Sequence, residues 1–176
     1  IEMARVAKWA GADTVKYQCV SPEGVPEVSR DYYRQVAFTE DQWVKLKRVV
    51  ESIGLKFLCT PQTVQDFQLL LRIGITEVKG SSDNCLNAPL LAVIRESGIK
   101  TIISRGMHDE NCHSVGQNTW MVCTSEYPCP PESVRLSAKR FIQAGTTNWG
   151  FSDHTIGSTA AALAMGMGAR VFEKHF

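Results

Sequence analysis

His154 and His175 stand 21 positions apart, each at the end of a short apolar run, with a stretch rich in Ala, Gly, Thr and Ser between them. Successive strands of a parallel sheet lie about 4.8 Å apart. Histidines closing two neighbouring strands would therefore open onto one mouth. Two imidazoles so placed can hold a divalent transition metal and leave positions for water and substrate, as catalytic sites do. Glu173 lies two residues before His175, so strand alternation aims both to one face. Asp153 and Glu173 are candidates to complete the shell or to orient a ligand. A histidine pair is also often structural, and spacing alone does not decide between the two roles.

Lys16 and Lys79 form a second constellation. A lysine inside an apolar strand is costly unless its head reaches water or meets an anion. Both fall at strand ends, as do the hydroxyls of Thr60, Ser82 and Ser152. A phosphate or carboxylate fits such groups, as it fits the first backbone N–H groups of a helix following His154. Solvated or ion-paired lysines are the plainer reading. His108 and His113 lie in an irregular polar stretch and read as loop residues.

The elements that must position these groups alternate. Apolar, β-branched runs at Thr14–Gln18, Leu55–Thr60, Ile75–Lys79, Lys100–Ser104, Thr119–Thr124, Asn148–Ser152 and Arg170–His175 predict buried parallel strands. Helical patterns fall between most of them. Thr39 to Gln42 reads as a capping box, followed by Trp43, Leu46, Val49 and Val50 at helical spacing, with Gly54 as the stop. Pro61 is placed to open the next helix, which ends at Gly74. Pro89–Ser97, Pro131–Ala144 and Ser158–Met165 continue the scheme. Val20–Ala37 reads as a loop, and Met107–Thr119 as a shortened connection lacking a helix.

Strands alternating with helices predict an α/β fold with a parallel sheet. No Gly-rich phosphate fingerprint follows the first strand, as a doubly wound nucleotide-binding sheet would offer. Polar residues recur instead at the C-terminal ends of the strands, which favours a (β/α)₈ TIM barrel. Closing it needs an eighth strand before the helix at Glu2–Ala10, so the expected fold is an incomplete barrel over 1–176.

Composition narrows the class. The chain has 176 residues, 44% hydrophobic and 21% charged, with a formal net charge of +1. Nothing there argues for nucleic acid or an anionic membrane surface as partner, and no apolar run reaches membrane-spanning length. The cysteines Cys19, Cys59, Cys85, Cys112, Cys123 and Cys129 are scattered without C-x-x-C spacing, so buried or site-lining thiols in a reducing cytoplasm are expected.

The closing stretch "GFSDHTIG…AAALAMGMGARVFEKHF" resembles the signature of the sialic acid synthase family. "AKWAGADTVKYQ", "FTEDQWVKLKRVVESIGLKFLCTP", "VKGSSDNCLNAPLL", "TIISRGM" and "VCTSEYPCPPESV" extend the likeness along nearly the whole chain. The resemblance implies a cytoplasmic, homodimeric transferase that condenses phosphoenolpyruvate with an N-acyl hexosamine and releases phosphate. It implies a (β/α)₈ catalytic barrel followed by an antifreeze-like domain absent from this chain. It assigns Mn²⁺ or Mg²⁺ to His154 and His175, and the anions of phosphoenolpyruvate to Lys16, Lys79, Ser82, Ser152 and Thr60. Gln18, Asn84, Ser125 and Tyr127 match substrate-facing positions, and Glu173, Asp153 and Tyr127 are the catalytic candidates. First strand and last helix of the barrel fall outside the chain, so the fragment alone is expected to be inactive.

Some residues depart from the pattern. Asn84 stands where many members carry a glutamate, with Asp83 beside it, and Ser125 where some have an asparagine. Arg105 replaces a small residue, so a large cation near the mouth is expected to alter specificity or obstruct it. The alternatives are a related synthase making a 3-deoxy-ulosonic acid phosphate, or a non-catalytic barrel that binds sugar or metal.

Overall fold

Each apolar run predicted as a strand forms one. They are β1 (Thr14–Cys19), β2 (Lys56–Pro61), β3 (Glu77–Gly80), β4 (Lys100–Arg105), β5 (Asn118–Val122), β6 (Trp149–Asp153) and β7 (Val171–Lys174). The computed structural model describes residues 1–106, 118–136 and 148–175. The expected helixless connection over 107–117 and most of the helix expected at Pro131–Ala144 lie outside the described residues. Of the latter, Pro131–Ser133 forms a 3₁₀ turn.

The described helices are α1 (Glu2–Trp9), α2 (Glu27–Val36), α3 (Glu40–Ser52), α4 (Val64–Arg72), α5 (Ala88–Ser97) and α6 (Thr159–Gly166). The capping box of α3 is formed: Gln42 N–H donates to Thr39 Oγ1 at 3.3 Å, and Thr39 N–H to Gln42 Oε1 at 2.8 Å. Gly54, Gly74 and Gly98 end their helices at positive φ, where a side chain is disfavoured. Two expectations need correcting. Pro61 closes β2 instead of opening α4, because Thr63 caps that helix in a reciprocal box with Asp66. Val20–Ala37 is not all loop: it contains α2, whose Val28, Tyr32 and Val36 recur at helical spacing although all three are exposed. No helix among the described residues is long and apolar enough to cross a membrane.

The chain divides into two compact units, Ile1–Lys79 with Ala92–Ile99, and Gly80–Leu91 with Lys100–Phe176. In the first, β1 and β2 pair in parallel, Gln18 opposite Thr60. Tyr17 stacks on Phe57 with ring centroids 5.5 Å apart, and Trp43 of α3 meets the pair edge-on. Phe67 and Leu70 of α4 are fully buried, each stabilising the fold by roughly 1.5–3 kcal/mol.

The second unit holds β4, β5, β6 and β7 side by side in that order, with β4–β5, β5–β6 and β6–β7 parallel. On one face Val122, Trp149 and Phe151 pack with Ala164 and Ala169, while Ala160 and Ala161 of α6 lie against them. The small residues between the two histidines thus let a helix approach its strands closely. Cys19, Cys59, Cys85, Cys123 and Cys129 are buried thiols, as expected, and Cys112 lies outside the described residues. Burial and the nearby Asp66 push the Cys19 thiol up to about 12.

Candidate functional site

Register explains the 21-residue spacing. β6 and β7 pair Gly150 with Val171, Ser152 with Glu173 and Asp153 with Lys174, a constant offset of 21 that sets His154 beside His175 just past the ladder. Their imidazole centroids are 5.2 Å apart at an interplanar angle of 63°. Tyr127 stacks on His154 at 3.9 Å and meets His175 edge-on at 5.1 Å. His154 is buried and His175 exposed.

Alternation along the strands places Ser152, His154, Glu173 and His175 on one face. Ser152 Oγ donates to Glu173 Oε2 at 2.7 Å and lies 3.1 Å from His154 Nε2. His154 Nδ1 faces the Thr124 carbonyl at 2.6 Å. A carbonyl only accepts, so Nδ1 carries the proton and Nε2 is the nitrogen whose state can vary. With Ser152 donating to Glu173, Nε2 either donates to Ser152 as part of an imidazolium or, in the neutral ring, keeps its lone pair for a ligand. The segment after β5 clasps this histidine: Cys129 N–H donates to the His154 carbonyl at 2.8 Å, and Tyr127 covers the ring. Desolvation, then Cys123, Glu173 and Asp83, push the Tyr127 phenol up to about 12, although the residue as a whole is 64% exposed. It is therefore a neutral hydrogen-bonding group at pH 7.

Two residues expected here face elsewhere. Asp153 does not join the histidines. Its Oδ1 accepts from Thr155 N–H at 2.9 Å and Thr155 Oγ1 at 2.8 Å, and its Oδ2 accepts from Lys174 Nζ at 3.0 Å. Burial pushes the carboxyl up, but these bonds outweigh it and hold it below the ordinary carboxylate value. Arg105 does not crowd the mouth either. It lies in register with Val122, and so with Phe151, on the helix-covered face, with its guanidinium 5.1 Å from the Trp120 ring centroid.

Ser82 is placed beside residues that the motif reading passed over. Its Oγ accepts from Gly106 N–H at 3.0 Å and lies 3.1 Å from Cys123 Sγ. Gly106 leaves room for this: a Cβ there would meet Ser125 Oγ at 2.4 Å, Cys123 Sγ at 2.5 Å and Ser82 Oγ at 3.0 Å. Cys123 shares the face of Ser125, two residues on, and that period-two signal was available to find it. The Thr124 carbonyl, a backbone group, left no such trace. Asn84 is buried, its Oδ1 accepting from Ser81 N–H at 3.1 Å and Ser81 Oγ at 2.9 Å, so it braces its own turn. Ser125 is exposed.

In the first unit Lys16 is half-buried and Gln18 exposed at the end of β1. Thr60 is wholly buried and its Oγ1 has no hydrogen-bond partner among the described residues. Lys79, at 2% exposure, is buried at the end of β3.

As to a metal, no group of three or more His, Cys, Asp or Glu side chains is gathered into a cage among the described residues. The donor set is instead two imidazoles, one oriented through its Nδ1–H with Nε2 turned to the shared face. That suits an ion whose other positions are taken by water and substrate.

Comparison with known proteins places the chain in a family. An uncharacterised protein of Methanocaldococcus jannaschii is 30% identical over 192 residues, covering 99% of this chain and 56% of the relative. The N,N'-diacetyllegionaminic acid synthase of Legionella pneumophila is 30% identical over 207 residues, covering 99% and 58%. This chain therefore spans little more than half the length of these curated relatives. The crystal structure of the N-acetylneuraminic acid (sialic acid) synthetase of Leptospira borgpetersenii, in complex with citrate, superposes with a TM-score of 0.89 at 26% identity. That match covers 99% of this chain and 66% of that one. The family model that matches, over residues 3–176, is that of the NeuB family, and the chain belongs to the NeuB family.

Proposed function

We propose that this chain is the larger part of a (β/α)₈ catalytic barrel, and that the protein containing it condenses phosphoenolpyruvate with an N-acyl hexosamine to give a nonulosonic acid and phosphate. The observation that carries the reading is the pair His154 and His175, side by side at adjacent strand ends with Ser152 and Glu173 on the same face. Membership of a family with sialic and legionaminic acid synthases among its relatives supports it. An antifreeze-like domain beyond this chain and a cytoplasmic homodimer belong to the same proposal.

His154 and His175 would hold Mn²⁺ or Mg²⁺, which when bound supplies Lewis-acid polarisation of the sugar aldehyde and an activated water. The chain's own residues do the rest. The Thr124 carbonyl fixes the His154 tautomer so that Nε2 faces the site. Ser152 Oγ passes its hydrogen bond to Glu173, which gives the carboxylate a route for holding or moving a proton at that oxygen. Tyr127, neutral and lying over His154, orients the sugar. Ser82 offers a hydroxyl set by the Gly106 N–H. Lys16 and Lys79 take the anionic groups of phosphoenolpyruvate, with Thr60 as hydrogen-bond partner and Gln18, Asn84 and Ser125 facing substrate.

The test uses the intact protein. Phosphate release is followed with phosphoenolpyruvate and N-acetylmannosamine, its 6-phosphate, or a diacetylated deoxysugar, while Mn²⁺ binding is read by electron paramagnetic resonance. His154→Ala and His175→Ala should each lower turnover by more than about 100-fold, since a ligand is removed and not just its support. They should also abolish saturable Mn²⁺ binding. Unchanged Mn²⁺ binding in both folded variants would defeat the assignment.

A further inference from the structure

The ladder between β6 and β7 ends at the pair Asp153 and Lys174, one residue short of both histidines. Beyond that point no strand pairing holds His154 next to His175. What crosses between the strands there is a side chain: Lys174 Nζ donates to Asp153 Oδ2 at 3.0 Å and also to the Thr155 carbonyl. Asp153, 1% exposed, in turn accepts from Thr155 N–H and Oγ1. A carboxylate accepting the N–H two residues on makes an Asx-turn, and its central residue is His154. Asp153, His154 and Thr155 are thus bracketed on one side by a turn and on the other by a lysine from the strand that carries His175.

We propose that Asp153 and Lys174 are positioning residues, an ion pair on the reverse face of β6 and β7 that fixes the strand ends in the register placing His154 beside His175 and Ser152 beside Glu173. The logic follows from alternation. Asp153 lies between Ser152 and His154 in sequence, and Lys174 between Glu173 and His175, so their side chains occupy the opposite face from all four. A one-residue slip of either strand would turn its own groups to the wrong side, and the pair is a cross-strand contact that opposes it. Lys174 keeps 40% of its side chain exposed, so its head can make these two bonds without a full desolvation cost, whereas Asp153 is buried and has to be paired.

The part of the proposal that concerns metal affinity rests on the reading above, and the experiment separates the two. In the intact protein, Lys174→Met removes the cation and keeps the stem, and Lys174→Arg keeps a charge. Asp153→Asn keeps an acceptor for Thr155 but turns an N–H₂ toward Lys174. Mn²⁺ affinity is measured by electron paramagnetic resonance, and the histidine rings by long-range ¹H–¹⁵N spectra without metal. Lys174→Met and Asp153→Asn should weaken Mn²⁺ binding by about 10–100-fold, the usual effect of losing a supporting partner. They should also shift or broaden the His154 ring resonances, while Lys174→Arg restores most of both. A folded Lys174→Met protein with parental Mn²⁺ affinity and unshifted His154 resonances would overturn the proposal. If the parent binds no Mn²⁺, the metal reading falls and the metal-free spectra alone decide this one. Should Lys174→Met fail to fold, Asp153→Asn, which preserves shape, is judged by the same two readouts.

Discussion

The strand ends of β6–β7 and those of β1–β2 carry comparable chemistry but treat it in opposite ways. At β6–β7 the polar groups bond one another across the strands: Thr124 holds His154, Ser152 joins His154 to Glu173, and Lys174 joins Asp153 to Thr155. At β2 the Thr60 hydroxyl is sealed from solvent and bonds nothing among the described residues. Such a cross-strand network sets geometry. A buried polar atom without a partner costs free energy in the empty protein and recovers it when a ligand supplies the missing bond. The first region is built to position, and the second is built to receive.

The most damaging way to break the contrast is to disturb the register on which the first region depends. Gly150 sits two residues before Ser152, and a Cβ there would meet the Val171 carbonyl at 2.6 Å, with Met121 Cγ and Val171 Cβ at 3.1 Å. The nearest obstacle is backbone of β7, which cannot retreat without opening the β6–β7 ladder. Gly150→Ala should cost about 3 kcal/mol, the upper end for overpacking. Calorimetry should show Tm falling by about 6–12 °C for a protein of this size class. A loss below about 1 kcal/mol would mean that the ladder yields easily, and that register is not held as tightly as argued.

Ser152→Ala is the next step down. It leaves the backbone alone and removes the hydroxyl between Glu173 and His154. Glu173 Oε2 then loses the hydrogen bond that Ser152 donates to it, and the expected cost is about 1–3 kcal/mol by denaturant unfolding. An unchanged midpoint would show that the bridge contributes nothing to stability and that the network is looser than its distances imply.

How far these regions were legible beforehand differs along the same lines. The β-branched runs, the Thr39 box and the stop glycines are local signals, and each produced the element it predicts. The 21-residue spacing of the histidines was also visible, because register in a parallel pair is a constant offset. Alternation was applied to Glu173 and His175 but not to Asp153 or Arg105, whose odd–even phase sends them to the other face. A period of two turns Asp153 away from the histidines' face, so of its two expected roles, completing the shell or orienting a ligand, its position suits the second. Helix α2 carries Val28, Tyr32 and Val36 at helical spacing, a signal that was present although the helix buries nothing, whereas the Thr124 carbonyl is a backbone group without a residue preference. Thr60 could be named from its motif, but that its hydroxyl is dry and unpaired is a property of packing.

That property supplies the smallest effect and the sharpest test of the comparison. Thr60→Val exchanges the buried hydroxyl for a methyl of nearly the same shape. Where both bonding partners are present such a change is destabilising, but here there is none to lose. The desolvation penalty of the hydroxyl disappears, and stability should stay level or rise by about 1 kcal/mol in the empty protein. Phosphoenolpyruvate should then raise the Tm of the parent more than that of the variant, because the bond that the ligand would complete is gone. A fall of more than about 1 kcal/mol without ligand would mean that Thr60 has a partner in solution. An equal ligand-induced shift in both proteins would instead leave the hydroxyl a packing feature, and the division between a positioning end and a receiving end would not hold at β2.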